Sequence, residues 1–496
     1  MMKNIFKTRK AKYGSVALAF TSLIIVVVLL LNALLSVLDD SIGLYADMTS
    51  EQIYGISDET RELLSECDEK IEIIFCRDRD KIADTFDMSK IIGLAEKYER
   101  EFDNISVRFV DYMRNANELR RIIRSTTTKF EDGDVIIRSA SGDKYRLLKS
   151  NAFFTFTESG ELFGFNGEMR FTSTILSVAK ATDDVIVFTT GHGETMTSLA
   201  ISEVLYDAGF TGDAVRTVNL KTEPIPENTK LVIIYNPKYD FAGRESEKAG
   251  SVNEIAKLNE YMQKKEGNIF VLFDKDTPEL PNLTEYLSDD WGISFSSGEV
   301  VTDPKNAVDT YGLELIARYN TTNDNSNFYA YSITKNILGN SQTVMSNSTP
   351  LYLNANSGKT VAPVLVSSKD ATVSKTGVTT AGITSGEQIL MAISTDYRIS
   401  GGVDKYSHVI VSGSVEFLSD KTQYRSYANN DLVRSTLSLV TKEKVPVNIE
   451  LKLFENTSLK TISNDGKRDF TIILSVVMPL MVVAYGIYVY IRRLHL

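Results

Sequence analysis

The sequence is poor in the residues from which most active sites are built. Its 496 residues include only two cysteines and three histidines. His192, His408 and His495 are too few for a histidine-rich metal site. No C-x-x-C pair supports thiol–disulfide exchange, and no G-x-x-x-x-G-K-S/T run supports a P-loop ATPase. We therefore expect neither a metal nor another cofactor.

The usual nucleophiles are missing as well. A serine hydrolase of the α/β class needs G-x-S-x-G, but the nearest run, SGSVE at residues 412–416, lacks the closing glycine. An amidotransferase needs a cysteine on a strand-to-helix elbow, and both cysteines lie near the start of the chain. We therefore do not expect an enzyme. Cys76 ends the apolar run IEIIFC and should point into a core; a Cys67–Cys76 disulfide is the alternative for an extracellular domain.

Two long runs carry no charge at all. Residues 16–37 (VALAFTSLIIVVVLLLNALLSV) and residues 470–491 (FTIILSVVMPLMVVAYGIYVYI) hold 22 residues each. As helices they can cross a hydrocarbon core of about 30 Å. A cleaved signal peptide is the alternative for the first run, but such peptides have roughly 7–15 apolar residues and a small-residue cleavage site that is absent here. We predict two transmembrane helices.

The basic residues beside these runs set the orientation. Seven of them lie at the two ends of the chain: Lys3, Lys7, Arg9, Lys10, Lys12, Arg492 and Arg493. Positive residues stay on the cytoplasmic side of a membrane. We therefore predict a two-pass cell-membrane protein with cytoplasmic tails at 1–15 and 492–496 and a large domain outside.

The predicted outer part is acidic. The whole chain has a net charge of -11, and setting aside the seven basic residues at its ends leaves -18 on the rest. Nucleic-acid binding depends on neutralising phosphates with basic residues. Nucleic acid is therefore not an expected partner.

The first part of the outer region alternates between strand and helix patterns. Residues 39–60 form a stalk that leads into a helix capped by Ser57. Further along, the periodicity predicts two helices and four strands: helices at 89–102 and 117–125, strands at 70–76, 105–112, 133–138 and 144–148. This order predicts a thioredoxin-like α/β domain at 39–165.

A second alternation begins near residue 183. The run VIVFTTG is a continuous apolar strand, typical of a parallel sheet that is covered on both faces. The pattern continues with strands at 230–235, 268–273 and 408–412 and helices at 198–208, 252–265 and 431–440. We predict a flavodoxin-like or amidotransferase-like doubly wound domain at 166–445, followed by a return stalk at 446–469.

Residues 300–360 do not follow this alternation. They are rich in Asn, Thr and Ser, and include NTTNDNSN at 320–327. Such a composition is typical of loops. We expect an insertion on the surface of the second domain.

The most pointed local motif follows the strand VIVFT. Gly191, His192, Gly193 and Glu194 come where ligands bind in open α/β sheets, at the carboxyl end of a strand. His192 and Glu194 could hold a ligand or a metal, or act as an acid–base pair. The favoured alternative is that Gly191 and Gly193 form a strand-to-helix turn and the polar side chains cap the helix.

Five stretches together resemble the GldG family, the auxiliary extracytoplasmic proteins of gliding-motility-type ABC transporters. In chain order they are residues 47–64 (DMTSEQIYGISDETRELL), 165–175 (FNGEMRFTSTI), 185–194 (VIVFTTGHGE), 411–420 (VSGSVEFLSD) and 431–439 (DLVRSTLSL). They extend over nearly the whole chain. Nothing in this resemblance covers residues 300–360.

The resemblance implies partners rather than a reaction. Members of this family accompany an ABC-2-type permease and a cytoplasmic ABC ATPase, and no catalytic residues are assigned to them. The second hypothesis is a surface-anchored receptor or enzyme that binds a sugar or peptide in a cleft near His192. The missing nucleophiles favour the first hypothesis, as does a second anchor that a tethered enzyme would not need.

The predicted topology can be tested with reporters. Cytoplasmic reporters fused at residue 5 or after Leu496 should be active, because basic residues hold both ends inside. A protease-cleavable tag near Asn325 should be cut from outside intact cells. External cleavage of a tag at Leu496, or a mature protein that begins near Asp39, would contradict the two-span topology.

Overall fold

The computed structural model describes residues 53–454, apart from short gaps, and five positions within the first predicted span: Ser22, Leu23, Val26, Val27 and Leu30. The gaps are residues 124–127, 141–143, 157–160, 180–183, 195–198, 209, 211–213, 244–251, 338–341, 376–383, 420–426, 443–444 and 448. Within these limits the chain is a mixed α/β protein with several sheets. No helix in this described part has the length and apolar character needed to cross a bilayer. The predicted second span, both tails and most of the first span lie outside the described residues.

The described residues form ten α-helices and twenty-one strands. The helices, α1 to α10, are Asp58–Ser65, Arg79–Ile82, Phe86–Glu101, Tyr112–Ile122, Gly167–Ala179, Leu199–Asp207, Glu254–Lys265, Pro281–Glu285, Phe328–Thr334 and Asn429–Thr441. Strands β1 to β10 are Ile71–Phe75, Ile105–Phe109, Val135–Ser139, Tyr145–Leu148, Phe154–Phe156, Leu162–Phe165, Val185–Thr189, Val215–Val218, Thr229–Tyr235 and Asn268–Leu272. Strands β11 to β21 are Ile293–Phe295, Glu299–Thr302, Glu314–Tyr319, Thr343–Ser346, Leu351–Leu353, Thr360–Val366, Thr372–Lys375, Thr384–Ser385, Ile389–Ser400, Val403–Ser412 and Lys452–Leu453.

The first sheet has four strands in the order β2-β1-β3-β4. β1 is parallel to β2 and antiparallel to β3, and β3 and β4 form the expected hairpin. The predicted strands and helices of this region are confirmed within a few residues. Helix α4 begins at Tyr112, earlier than the predicted residue 117, because Asp111 caps it by accepting a hydrogen bond from the backbone N–H of Met113.

Helices cover both faces of this sheet. Ile73 and Phe75 contact α3 and α5 on one face, whereas Ile74 and Cys76 contact α4 on the other. Alternation of side chains along β1 places them there. No disulfide joins Cys67 and Cys76, so that alternative is not realised. Burial raises the pKa of the Cys76 thiol to about 12, which makes it an inert core residue.

The second sheet contains the predicted parallel strands in the order β8-β7-β9-β10-β20. β7 and β10 are buried along their whole length, as their continuous apolar sequences predict. Helices α6 and α10 contact one face of the sheet and α7 contacts the other. The carboxyl ends of the parallel strands form one edge of the sheet, and their amino ends form the opposite edge.

Residues 300–360 do not form the expected irregular surface excursion. They include the strands β13, β14 and β15, and β13 and β14 extend the second sheet beyond β16 and β19 in antiparallel pairing. The expectation was wrong because it was based on average composition, whereas alternate residues of these strands reach the core. Leu315, Ala317 and Met345 are buried in the same cluster as the parallel strands.

The two ends of the described chain meet. The Glu168 carboxylate of α5 accepts hydrogen bonds from Ser57 N at 2.6 Å and Thr60 Oγ1 at 2.9 Å, and it pairs with Lys452 Nζ at 3.2 Å. Lys452 Nζ also donates to the carbonyl of Gly55. A few residues away, Val447 N donates to Glu59 Oε1. Segments almost 400 residues apart in sequence are therefore held side by side.

Candidate functional site

The GHGE motif lies at the carboxyl edge of the second sheet, where the strand order reverses. The chain passes from β7 outward to β8 and then back across β7 to β9. Open α/β sheets bind ligands at this switch point. Residues 191–194 follow β7 there, and residues 236–241 follow β9 beside them.

Both glycines of the motif have backbone conformations that side chains disfavour. Gly191 has φ +102° and Gly193 has φ +77°. A Cβ on Gly193 would lie 3.0 Å from Lys238 Cβ and 3.1 Å from the Tyr239 ring. The backbone N–H groups of Lys238 and Tyr239 also donate to the His192 carbonyl, at 2.7 and 2.9 Å. The loops after β7 and β9 are therefore packed against each other.

His192 is fully buried between two carboxylates. Its Nδ1 lies 3.2 Å from Glu194 Oε1, and its Nε2 lies 3.0 Å from Glu254 Oε2. The ring stacks on Phe241 with 3.8 Å between centroids and 14° between planes. Glu194 is further fixed by the backbone N–H of His192, and Glu254 by that of Ala242.

These neighbours favour the charged imidazolium. Burial alone would lower the pKa of His192, but hydrogen bonds and charge attraction from Glu194 and Glu254 raise it to about 9. Burial likewise opposes ionisation of the two carboxylates, yet the imidazolium holds the pKa of each below its ordinary value. At neutral pH both ring nitrogens of His192 carry protons and donate to carboxylates.

A charged His192 has no lone pair to offer. An imidazolium cannot bind a metal and cannot act as a general base. Among the described residues there is no group of three His, Cys, Asp or Glu side chains arranged to hold a metal ion. The chemistry that this geometry supports is a buried ionic contact that joins the motif to the start of α7.

Sequence reasoning missed Glu254, which is the third member of this group. It is the first residue of α7 and follows the N-cap Asn253, whose side chain accepts from Ala256 N. An acidic residue in the first helical turn is accounted for by the helix dipole. Nothing in the local sequence therefore marks it as a partner of a histidine 62 residues away.

The other polar groups at this edge also engage one another. Asn236 Nδ2 donates to Asp274 Oδ2 at 2.7 Å, and Lys238 Nζ donates to Asn236 Oδ1 at 2.8 Å. Ser412 and Ser414 of the SGSVE run are buried and donate to the carbonyls of Ser414 and Ser346. The serines are thus hydrogen-bonded to backbone rather than to a base.

One polar atom of this site differs from the others in its hydrogen bonding. Glu254 Oε1 is buried and has no hydrogen-bond partner within the part of the chain that the structure describes. A buried carboxylate oxygen without a donor is costly. It is the feature of the site that best fits a bound water or a small ligand with a donor group.

No protein-family model matches this chain, and no curated protein matches it in sequence.

The ionic contact of His192 gives a testable pH dependence. Because its pKa is higher in the folded state than the ordinary 6.5, its stabilising effect is complete below pH 6.5 and lost as the pH rises through about 9. We expect the unfolding free energy of the wild type to exceed that of His192→Gln by an amount that falls by about 3 kcal/mol over this interval. The measurement is denaturant unfolding of the full chain in detergent at several pH values.

His408→Gln is the matched control. His408 is also buried, but burial lowers its pKa to about 4, so it is neutral in the folded protein. Its effect on stability should change only below pH 6.5 and stay constant from pH 7 to 9. A constant difference between wild type and His192→Gln from pH 7 to 9 would show that His192 is not an imidazolium.

Proposed function

We propose that this protein is a non-catalytic, membrane-anchored extracytoplasmic subunit of an ABC-2-type transport system. In this role its outer domains serve as an interaction or substrate-handling module for a permease and its separate cytoplasmic ATPase. The observation that carries the proposal is the hydrogen bonding of His192 at the switch point. Both nitrogens of His192 are engaged by carboxylates, at 3.2 and 3.0 Å, where an enzyme of this architecture would keep a reactive group available.

The meeting of the two chain ends supports the membrane part of the proposal. Residues 38–52 separate the first predicted span from the described chain, and residues 455–469 separate the second span from it. Each linker has 15 residues and reaches at most about 50 Å. Because Gly55 and Lys452 are in contact, both linkers start from one point. That geometry suits two anchors that enter the same patch of membrane.

The finer fold assignment forms part of the same proposal. Taken in chain order, the parallel strands of the second sheet lie in the order second, first, third, fourth, fifth, which is the flavodoxin-like arrangement. The first sheet, covered by helices on both faces, is compatible with a thioredoxin-like domain. Domain limits at 165/166 and 445/446 stay predictions, and α5 beyond the first limit packs on the first sheet.

Two of the stretches that resemble the GldG family contact each other in the fold. Residues 53–64, the described part of the first stretch, meet residues 165–175 where Ser57 and Thr60 bond to Glu168. This contact between two of the five stretches supports the resemblance. Residues 185–194 and 411–419 include the carboxyl ends of β7 and β20, which lie at the same edge of the second sheet with β9 and β10 between them.

The second candidate is a surface-anchored receptor or enzyme. The unpartnered Oε1 of Glu254 favours it, since a sugar hydroxyl or a peptide N–H could donate to that oxygen. The packing of the loops after β7 and β9 favours the first candidate, because even a Cβ on Gly193 would lie only 3.0 Å from Lys238 Cβ.

Affinity purification of the tagged full chain in mild detergent tests the proposal. We expect a polytopic permease and a Walker-type ATPase to be recovered with it. The control is the same chain with residues 16–37 and 470–491 replaced by unrelated transmembrane helices, which keeps the anchors but removes their helix-packing surfaces. This control should recover less of the permease.

Two results would favour the receptor or enzyme instead. One is recovery of the protein alone in several detergents, together with unchanged transport after its deletion. The other is stabilisation of the protein by a sugar or peptide that Glu254→Gln abolishes.

A further inference from the structure

The hairpin of β19 and β20 extends well beyond its neighbours. β19 pairs with β16 only as far as Thr395, and β20 pairs with β10 only from His408 onward. The two strands continue to pair with each other out to Ser400 and Val403. Residues 396–407 therefore form a two-stranded arm, which projects from the amino edge of the parallel strands.

The base of the arm is firmly attached to α7. Arg398 Nη2 donates to the carbonyls of Met262 and Gln263 at 2.7 and 2.8 Å. Ser407 Oγ donates to the Met262 carbonyl at 2.9 Å. These bonds use the carbonyls near the end of the helix. The arm is thus held in one direction relative to the sheet.

The tip of the arm is exposed and carries aliphatic and aromatic side chains. Ile399 is 65%, Val403 60% and Tyr397 52% exposed. Gly401 and Gly402 form the turn with φ +62° and +79°, and no atom lies within 4 Å of where their Cβ atoms would be. Exposed aliphatic residues on a projecting arm indicate a contact surface.

The chain returns toward its anchors at the same edge of the sheet. Helix α10 ends beside the arm, because Glu266 pairs with Lys442 at 3.2 Å and with Lys405 at 3.6 Å. Five residues after Lys442, Val447 reaches Glu59 at the meeting point of the two chain ends. The opposite edge carries His192.

We propose that this arm inserts its tip into the headgroup and upper acyl region of the lipid bilayer. The inference depends on the two predicted spans, which bring a bilayer within reach of the amino edge. Ile399 and Val403 would leave water for the acyl boundary, and Tyr397 would lie at the interface, where tyrosine is enriched. Asp404 accepts a hydrogen bond from the Tyr397 hydroxyl at 2.8 Å, which suits a position at headgroup level.

A fluorescent label on the tip tests this directly. The full chain with Cys67→Ser and Ile399→Cys carries one accessible thiol, because Cys76 is fully buried. The protein is labelled there with an environment-sensitive dye and reconstituted in phosphatidylcholine liposomes. We expect a blue shift of emission and a loss of fluorescence when spin-labelled phosphatidylcholine is included.

Two matched variants complete the test. A label at Tyr311→Cys, which is 79% exposed on a different part of the surface, should be neither shifted nor quenched. Adding Val403→Asp to the Ile399→Cys protein should remove the quenching and leave flotation with liposomes unchanged, since the spans still anchor the chain.

The outcomes separate this inference from the proposed function. If the protein floats with liposomes but the label at residue 399 stays in water, the arm does not insert. If that label becomes shielded only in membranes that contain the permease, the occupant is protein and the lipid inference is wrong. Failure to float at all would instead overturn the two predicted spans.

Discussion

The arrangement of the molecule depends on one buried carboxylate. Glu168 binds the backbone N–H of Ser57 and the hydroxyl of Thr60, which belong to the first helix, and it pairs with Lys452 from the end of the described chain. With only 4% of its side chain exposed, it would be costly to bury without these partners. Its neighbour Tyr98 donates to the Glu168 carbonyl and shares a hydrogen bond with Thr172, so α3 joins the same centre.

A second ionic centre holds the far edge of the protein. His192 with Glu194 and Glu254 fastens the turn after β7 to the start of α7. Both centres join segments that are distant in sequence, and both fill their own hydrogen-bonding needs almost completely. Buried charges of this kind specify which segments meet, although an apolar contact of the same volume could give equal stability. In the second centre one oxygen, Glu254 Oε1, stays without a hydrogen-bond partner among the described residues.

Much of the fold could be predicted because its core strands are extreme in composition. The runs VIVFT at 185–189 and NIFVL at 268–272 are apolar apart from Thr189 and Asn268, and they are the completely buried strands of the parallel sheet. Apolar spacing predicts helix α10 at 431–440, and the helix begins two residues earlier, at Asn429. Local pattern was sufficient wherever a whole strand or helix face enters the core.

The rest of the fold and of the site depends on which distant segments pair, and local sequence does not determine that. β13 and β14 resemble loops in composition. In β13 only alternate residues are buried, and in β14 Thr and Ser are buried beside the apolar residues. The β19–β20 hairpin is longer than its buried part. The composition of its exposed residues does not show that the two strands continue to pair there. In the candidate site, residues 191–194 were recognised as a turn motif, whereas Glu254 was not, since only the folded chain brings it to His192.

A double-mutant cycle on Glu168 and Lys452 tests the central claim, that this pair joins the two ends of the described chain. The unfolding free energy of the full chain in detergent is measured for wild type, Glu168→Gln, Lys452→Met and the double variant. Because the pair is nearly buried, we predict a coupling energy of about 1–3 kcal/mol, with the double variant less destabilised than the sum of the single ones. The exposed pair Glu260 and Lys264 serves as the control and should show a coupling below about 0.5 kcal/mol. Additive effects of Glu168→Gln and Lys452→Met would contradict the account.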